Sequence, residues 1–384
     1  MNTHDAAWPL GTVTVLGAHI LDVLGRPVET IPPGQGSVRL REIRATAAGT
    51  AAGTAVDLAK LGARVLAAGA IGDDLLGDIV VAAMARHGVD TAGLVRKDGA
   101  QTSATILPIR PNGERPAFHV PGATRLFTRA DVDLSAIRGS RALLVGAPDA
   151  LAGMTGEELA QVAGAARDNG ALVAVDVLHP GRPQDLERLA PLLAVTDWFM
   201  PNGDQILALT DRTELAGAIE DVLALGTAAV AVTCGADGCL VAWRDSGAPV
   251  KLPALAVEVV DTTGCGDGFT AGLLAGLLLG PEPARADPLD AAWLGLACGS
   301  LVATGLGSDA GIENLGQVLD FLSGTQPAVA SRPGSRVTGA DWSRSAAGPG
   351  GVTAASAAAA HAGTSIAINC PPPNPEVTAG ISDC

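Results

Sequence analysis

Short apolar segments alternate with helix-forming segments along this chain, and that alternation limits the fold more than any other feature. The segments predicted to be strands are residues 13–17, 141–146, 171–175, 197–200 and 228–233. Helices are expected near 155–168 and 203–224, the second with a break at 210–212. Buried strands that alternate with helices predict an α/β protein with a mostly parallel sheet covered on both faces. Ligands of such sheets bind at the carboxyl ends of the strands.

The segment Asp-Thr-Thr-Gly-Cys-Gly-Asp-Gly-Phe, residues 261–269, predicts an anion-binding turn. The apolar run 257–260 before it and the helical spacing after it indicate a strand, a glycine turn and a buried helix. Backbone N–H groups and a helix N-terminus would converge there. A carboxylate at Asp267 suits such a site if it takes the proton of a hydroxyl that attacks a phosphoryl group. A plain helix cap is the alternative for Asp267.

Two other glycine-loop sites are excluded by the residues present. A dinucleotide-binding fingerprint needs a third glycine where Phe269 stands. A Walker loop needs a Gly-Lys pair, and the chain has none.

Two segments, residues 35–46 and 101–121, interrupt the strand–helix alternation and predict a small β lid. Pro111-Asn112-Gly113 is a typical hairpin turn flanked by alternating apolar residues. A lid would exclude water, which competes with a substrate hydroxyl for a phosphoryl group. The alternative is a surface hairpin used for dimer contact, and both roles are compatible.

Composition limits the partners and the compartment. The net charge of −15 argues against a nucleic acid or an anionic membrane surface as partner. No apolar run reaches the ~18 residues typical of a membrane span. Six cysteines without a Cys-x-x-Cys pair predict a reduced, cytoplasmic protein. No Leu, Phe or Met follows Leu322, so residues 325–384 are predicted to be a flexible low-complexity tail.

Residues 261–267 resemble the C-terminal signature of the ribokinase-like (PfkB) family of sugar and nucleoside kinases, except that Cys265 stands where the family usually has Ala. The resemblance covers about residues 10–324 and implies a three-layer α/β/α sandwich with a β lid. It implies ATP- and Mg²⁺-dependent phosphorylation of a hydroxymethyl group. Asp267 would be the base, and the N–H groups of Gly264, Cys265 and Gly266 would form the anion hole. A monovalent cation such as K⁺ near Asp261 and a homodimer formed through the lid are common in the family.

The resemblance also implies substrate contacts. Asp22 would bind sugar hydroxyls, as a carboxylate can accept two hydrogen bonds. The family's Gly-Gly, three residues, Asn pattern falls on Ala48 to Gly53, so the usual Asn is absent. Gly49 and Gly53 could still let a substrate approach the backbone, and Thr54 offers a hydroxyl. The small residue at Gly53 is expected to leave room for a bulkier ligand beside a helix that begins at residue 55.

Nucleotide contacts are implied at two places. Residues 233–238 resemble the family's Thr-x-Gly-x-x-Gly loop through Thr233, Gly235 and Gly238, which with Thr263, Gly264 and Gly266 would contact ATP. Asn202 matches the first residue of an Asn-x-x-Glu motif linked to magnesium and phosphate, but Gln205 replaces the Glu. A neutral amide is a weaker partner than a carboxylate for hydrated Mg²⁺. We therefore expect either weaker coupling of the protein to magnesium or another carboxylate that replaces the missing Glu. An N-cap role for Asn202 stays open.

Two other functions compete with a sugar or nucleoside kinase. A catalytically weak or inactive nucleotide- or sugar-binding protein would explain Ala48, Gly53 and Gln205, although Asp267 argues against it. A kinase acting on a sugar phosphate would need extra cations, for which the candidates are Arg39, Arg41 and Arg44. A charged outer strand face explains these arginines equally well.

Overall fold

The computed structural model describes residues 10–280 and 286–325, and in these ranges thirteen strands form two sheets. In chain order the strands are β1 (Thr12–Gly17), β2 (Ile20–Arg26), β3 (Glu42–Ala48), β4 (Arg64–Gly72), β5 (Asp90–Lys97), β6 (Ala104–Pro108), β7 (Phe118–Val120), β8 (Ala142–Gly146), β9 (Leu172–Asp176), β10 (Trp198–Phe199), β11 (Ala229–Thr233), β12 (Cys239–Trp243) and β13 (Val250–Leu252). The predicted tail lies outside the described residues, apart from Thr325.

The larger sheet has nine strands in the order β13-β12-β11-β10-β9-β8-β1-β4-β5. Every neighbouring pair from β11 to β5 is parallel, and β12 and β13 add an antiparallel edge. All five residues of β8 and of β9 are buried, as expected for central strands covered on both faces. The predicted parallel sheet is therefore confirmed.

Helices cover both faces of this sheet. They are α1 (Gly49–Lys60), α2 (Leu75–Ala85), α3 (Leu134–Arg138), α4 (Gly156–Arg167), α5 (Pro183–Leu193), α6 (Gly203–Thr210), α7 (Leu215–Ala224), α8 (Cys265–Leu278), α9 (Pro288–Val302) and α10 (Leu315–Thr325). One buried core contains residues of α1, α2, α8, α9 and α10, and a second contains residues of α3 to α7. The chain therefore forms the expected three-layer α/β/α sandwich. Within the described ranges, no helix combines the length and apolarity needed to cross a membrane.

The smaller sheet is the lid, with strand order β3-β2-β6-β7. Strands β3, β6 and β7 overlap the two predicted lid segments, whereas β2 was not predicted to belong to the lid. Strand β2 lies at the centre, antiparallel to β3 and parallel to β6. It follows β1 after only two residues, so the lid is joined directly to the middle of the large sheet.

Two predictions near the site are wrong, namely the start of α1 and the strand before the glycine turn. Helix α1 begins at Gly49, six residues before the expected start, so Gly53 and Thr54 lie inside it. Residues 257–260 do not form a strand. Instead the N–H groups of Val260 and Asp261 donate to the carbonyl of Ala303, at 2.8 and 3.3 Å. The end of α9 therefore positions the segment that leads into the glycine turn.

Candidate active site

The glycine turn before α8 has the geometry of an anion site. Gly264 has φ +80°, and a Cβ there would lie 2.4 Å from the Cα of Ser308, so only glycine fits. The N–H groups of Gly264 and Gly266 have no acceptor among the described residues, whereas that of Cys265 reaches the carbonyl of Thr262 at 3.4 Å. A Cβ at Gly266 would meet nothing within 4 Å. The turn thus presents unpaired N–H groups at a helix N-terminus next to open space.

Asp267 lies in the first turn of α8, and although the residue keeps some exposed surface, its carboxylate is enclosed closely enough by protein to be desolvated. The N-cap of α8 is Gly264, so the helix-cap alternative for Asp267 is wrong. A Cβ built on Gly53 would lie 2.3 Å from Oδ2 of Asp267. The expected room beside Gly53 is therefore taken by the Asp267 carboxylate and is not available to a ligand. Across the described ranges, this carboxylate accepts no hydrogen bond and forms no ion pair.

Asp22 on lid strand β2 lies close enough to Asp267 on α8 for its charge to act on the Asp267 carboxyl group. The pKa of Asp267 is raised to about 8, mainly by burial and in smaller part by the charge of Asp22, while the charge of Arg115 opposes the shift. Burial also raises the pKa of Asp22 to about 6, against a hydrogen bond from Thr105 and the charge of Arg115. A general base works best when its pKa lies near the working pH. Asp267 therefore has the environment that this role requires.

Asp261 holds the glycine turn together. Its Oδ1 accepts hydrogen bonds from the N–H and the hydroxyl of Thr263, at 3.1 and 2.9 Å, and its Oδ2 accepts from the N–H of Gly307 at 2.9 Å. The hydroxyl of Thr263 in turn accepts a hydrogen bond of 2.7 Å from Nη1 of Arg115. Sequence reasoning missed Arg115, which lies in the lid loop between β6 and β7. A monovalent cation at Asp261 stays a prediction.

The lid presents a row of polar side chains to the site. Thr46 pairs with Asp22, Asp22 with Thr105, and Thr105 with His119, one residue from each strand. Residues paired directly across strands point to the same face of a sheet. The hydroxyl of Thr105 lies 3.1 Å from Nδ1 of His119. Because Asp22 is electrostatically coupled to Asp267, this face of the lid is the one turned towards α8.

The start of α1 is held by contacts within the protein. Gly49 has φ +80°, and a Cβ there would lie 2.9 Å from both the carbonyl of Ala18 and a side-chain carbon of Ile20. Glycine at this position is thus required where the lid joins the large sheet. The hydroxyl of Thr54 donates to the carbonyl of Asp267 at 3.4 Å, which links α1 to α8.

The predicted nucleotide loop lies at the carboxyl ends of β10 and β11. Asn202 and Thr233 form an isolated parallel bridge there. Gly235 has φ +55°, and a Cβ there would meet nothing within 4 Å, so its backbone is open to a ligand. A Cβ at Gly238 would lie 2.0 Å from the carbonyl of Leu252. Glycine at position 238 is therefore needed to pack against β13, whatever its contact with a nucleotide.

Asn202 and Gln205 form a capping box at the start of α6. The N–H of Gln205 donates to Oδ1 of Asn202 at 2.9 Å, and the N–H of Asn202 donates to Oε1 of Gln205 at 2.7 Å. Nε2 of the buried Gln205 donates to the carbonyl of Val177 at 2.9 Å, a bond that an ionised Glu could not make. The N-cap alternative for Asn202 is confirmed. Among the described residues, no group of three or more His, Cys, Asp or Glu could hold a metal ion.

The three arginines considered for a second phosphate do not form a cluster at the site. Nη2 of Arg44 donates to Oδ1 of Asp309 at 2.9 Å. Arg39 and Arg41 are exposed and precede β3. The structure therefore gives no support to a sugar phosphate as substrate.

The sequence is similar to those of known sugar kinases. The sequence matches the pfkB family carbohydrate kinase domain over residues 11–315. It is 26% identical to Fructokinase-1 of Oryza sativa subsp. japonica over 284 residues, which cover 71% of this chain and 87% of that protein. It is 29% identical to ribokinase of Haemophilus influenzae over 324 residues, which cover 81% of this chain and 98% of that protein.

Solved structures share the fold. The structure of Arabidopsis thaliana ribokinase complexed with ribose and ATP has a TM-score of 0.69 at 22% identity and covers 81% of this chain and 98% of its own. A putative ribokinase II from E. coli in complex with ATP and Mg²⁺ has a TM-score of 0.66 at 21% identity, with coverages of 82% and 99%. The fold is therefore ribokinase-like. Since the family match spans well over half of the 384 residues, the chain belongs to the pfkB family of carbohydrate kinases.

Proposed function

We propose that the protein is an ATP-dependent kinase that phosphorylates a primary hydroxyl of a sugar or nucleoside. The observation that carries this proposal is the carboxylate of Asp267, which has no hydrogen-bond or ion-pair partner among residues 10–280 and 286–325 and lies beside the N–H of Gly266, unpaired in the same ranges. A group that served only to bind an anion would gain nothing from a carboxylate there. Asp267 accepts the proton of the attacking hydroxyl. The N–H groups of Gly264, Cys265 and Gly266 stabilise the negative charge of the transferring group.

The nucleotide would lie along the carboxyl ends of β10 and β11 and reach the start of α8. ATP supplies the phosphoryl group when it is bound. The open backbone at Gly235 and Gly266 fits phosphates, Asn202 and Thr233 lie side by side at the strand ends, and Thr263 directly precedes the glycine turn. Magnesium would be held through the phosphates of ATP, because Gln205 is committed to the carbonyl of Val177.

The acceptor would be a neutral polyhydroxy compound. Asp22 and Thr105, both 8% exposed, offer oxygens to substrate hydroxyls from the lid. Asp22 and Asp267 already place two carboxyl groups in the site, and Arg44 is engaged by Asp309. A second phosphate on the substrate would add like charge beside these two carboxyl groups.

We also propose a homodimer formed through the outer face of the lid. Ile43, Ile106, Phe118 and Val120 alternate with the residues of the polar row and are 70, 61, 56 and 43% exposed. Exposed apolar side chains that cluster on one face of a sheet mark an interaction surface. A second copy of the lid offers the complementary apolar face, as a two-fold dimer requires.

The kinase proposal is tested by ATP consumption with a panel of sugars and nucleosides, comparing the wild-type protein with Asp267→Asn. We expect turnover with at least one acceptor, and a loss of about 10²–10⁴ in kcat when the base is removed. The matched control is Asp204→Asn, which changes an exposed carboxylate in α6 and should leave kcat unchanged.

Two outcomes would contradict the proposal. Normal turnover by Asp267→Asn would show that Asp267 is not the base. An absence of turnover with every acceptor, while ATP or a sugar still raises the melting temperature, would identify a binding protein on a kinase scaffold.

A further inference from the structure

The lid loop between β6 and β7, residues 109–117, reaches over to the anion turn through one arginine. Nη1 of Arg115 donates to the hydroxyl of Thr263 at 2.7 Å. Thr263 is itself fixed by two hydrogen bonds to Asp261, which is only 4% exposed. The guanidinium of a lid residue is thus anchored to the rigid turn whose N–H groups form the predicted anion hole.

Most of the donors of this guanidinium remain free. An arginine side chain carries five N–H donors. In the described part of the chain, the bond to Thr263 is the only hydrogen bond that the Arg115 side chain makes, and it forms no ion pair. Arg110 in the same loop differs, because its Nη1 pairs with Glu114 at 2.7 Å. Arg110 is therefore paired with a carboxylate of its own loop, whereas most donors of Arg115 stay available to a ligand.

The position of Arg115 matches a need for positive charge in the site. Its charge acts on Asp22 and Asp267 and lowers the pKa of both, against the larger upward effect of burial. Among the residues that the structure describes, Arg115 is the one Arg or Lys whose charge acts on either carboxyl group. A phosphoryl group beside Asp267 would bring further negative charge. The N–H groups of the turn can only offset it as dipoles, whereas a guanidinium offers a full charge and paired donors.

We propose that Arg115 is a catalytic residue that binds the transferring phosphoryl group. The inference rests on the proposed kinase function. In the transfer step the substrate oxygen bonds to phosphorus as its proton passes to Asp267. The bond from phosphorus to the bridging oxygen of ATP breaks, and its electron pair stays with ADP. Arg115 forms no covalent bond, and its free N–H groups donate to the oxygens of the group in transit.

The place of Arg115 in the lid gives this contact a second consequence. Asp22 and Arg115 belong to the same small sheet and its loop, so the position of the lid sets both substrate binding and the guanidinium. Because Arg115 already reaches Thr263 from the lid, the lid brings the guanidinium to the anion turn and Asp22 to the substrate at the same time.

The test compares Arg115→Gln and Arg115→Lys with Arg110→Gln, the matched control from the same loop. With the best acceptor of the panel, Arg115→Gln should lower kcat by about 10²–10³ and change the KM of the acceptor by less than about threefold. Arg115→Lys should recover part of the loss, because it restores charge without the paired donors. Arg110→Gln should keep both constants. A kcat of Arg115→Gln within about threefold of wild type would overturn the inference.

A second readout separates failure of this inference from failure of the kinase proposal. ADP with aluminium fluoride mimics the phosphoryl group in transit, and its binding needs no turnover. It should raise the melting temperature of the wild-type protein and of Arg110→Gln above the value with ADP alone, and this extra shift should vanish in Arg115→Gln. If no acceptor is phosphorylated, the kinase proposal fails, and equal extra shifts in all three proteins would then refute the role of Arg115 as well. An extra shift lost only in Arg115→Gln would support phosphoryl binding by Arg115 even without turnover.

Discussion

At the scale of single residues, Asp267 is built for reactivity at a cost in stability. Its carboxylate is desolvated, lies near the carboxylate of Asp22 and receives no hydrogen bond within the described ranges. Each of these features favours the protonated form in the folded protein. The pKa of Asp267 therefore rises from 3.8 to about 8, and the folded protein binds more protons than the unfolded chain between these values.

This difference predicts a pH-dependent gain in stability for Asp267→Asn. Because the folded state binds the extra proton, stability falls as the pH rises from about 4 through about 8. Asparagine cannot ionise, so the variant should melt at a higher temperature than wild type, by a margin that grows from pH 5 to about pH 8. Asp204→Asn should show no such trend. A variant that melts lower than wild type at pH 8 would show that the raised pKa is not a property of the folded protein.

The sequence revealed some of these residues and could not reveal others. Asp267, Gly264 and Gly266 form one local motif whose spacing alone indicates an anion turn with a base. Arg115 is separated from Thr263 by 148 residues, and no pattern in a hairpin loop shows which distant turn the loop will reach. The prediction of room for a ligand beside Gly53 is wrong because the Asp267 carboxylate fills the space where a side chain of residue 53 would lie.

At the scale of elements, a stripe of glycines sets how closely α8 packs on α9. Gly268, Gly272 and Gly276 are spaced one turn apart on α8, and a Cβ on any of them would lie within 2.7 Å of an atom in α9. Close packing here fixes the axis of α8 and hence the position of its N-terminus at the anion turn. The apolar helical spacing predicted α8, but the stripe becomes visible only beside its partner helix.

The stripe predicts opposite effects for two Gly→Ala changes in helices. At Gly272 the added Cβ would lie 2.6 Å from the carbonyl of Leu294, so α8 and α9 must separate. Overpacking of this kind costs about 1–3 kcal/mol, more than the ~1 kcal/mol that alanine gains in helix propensity. At Gly164 in α4 an added Cβ would meet nothing within 4 Å, so Gly164→Ala should stabilise by up to ~1 kcal/mol. Urea unfolding measures the change in unfolding free energy of each variant. Destabilisation of equal size in Gly272→Ala and Gly164→Ala would contradict the packing argument.

Two elements were not predicted correctly. One apolar segment had no strand to pair with, and another segment joined the second sheet. Residues 257–260 have the composition of a strand, but their backbone bonds to the end of α9 instead. Strand β2 is only seven residues long, follows β1 directly and shows no regular alternation of polar and apolar residues, so its place in the lid depends on pairing with β3 and β6. Both outcomes were decided by tertiary partners that a single sequence does not display.

At the scale of the whole molecule, the lid has two faces that differ in chemistry. One face carries the row from Thr46 to His119 towards α8, and the other exposes the apolar residues around Ile106 and Phe118. The strict alternation of β-strands produces both faces from the same four segments. A lid that closes over substrate while its outer face pairs with a second lid would link the active sites of two protomers.

This arrangement predicts a dimer that depends on the outer lid face. The wild-type protein should sediment at about twice the chain mass of 38.2 kDa at micromolar concentration. Replacing Ile106 and Phe118 together by lysine places two charges on a face that would otherwise be buried, which a dimer cannot accommodate at neutral pH. The double variant should be monomeric. Val259→Lys, an exposed apolar residue outside the lid with 49% exposure, should leave the dimer intact. A wild-type protein that is monomeric at every concentration would rule out the lid interface, whereas a double variant that remains dimeric would place the interface elsewhere.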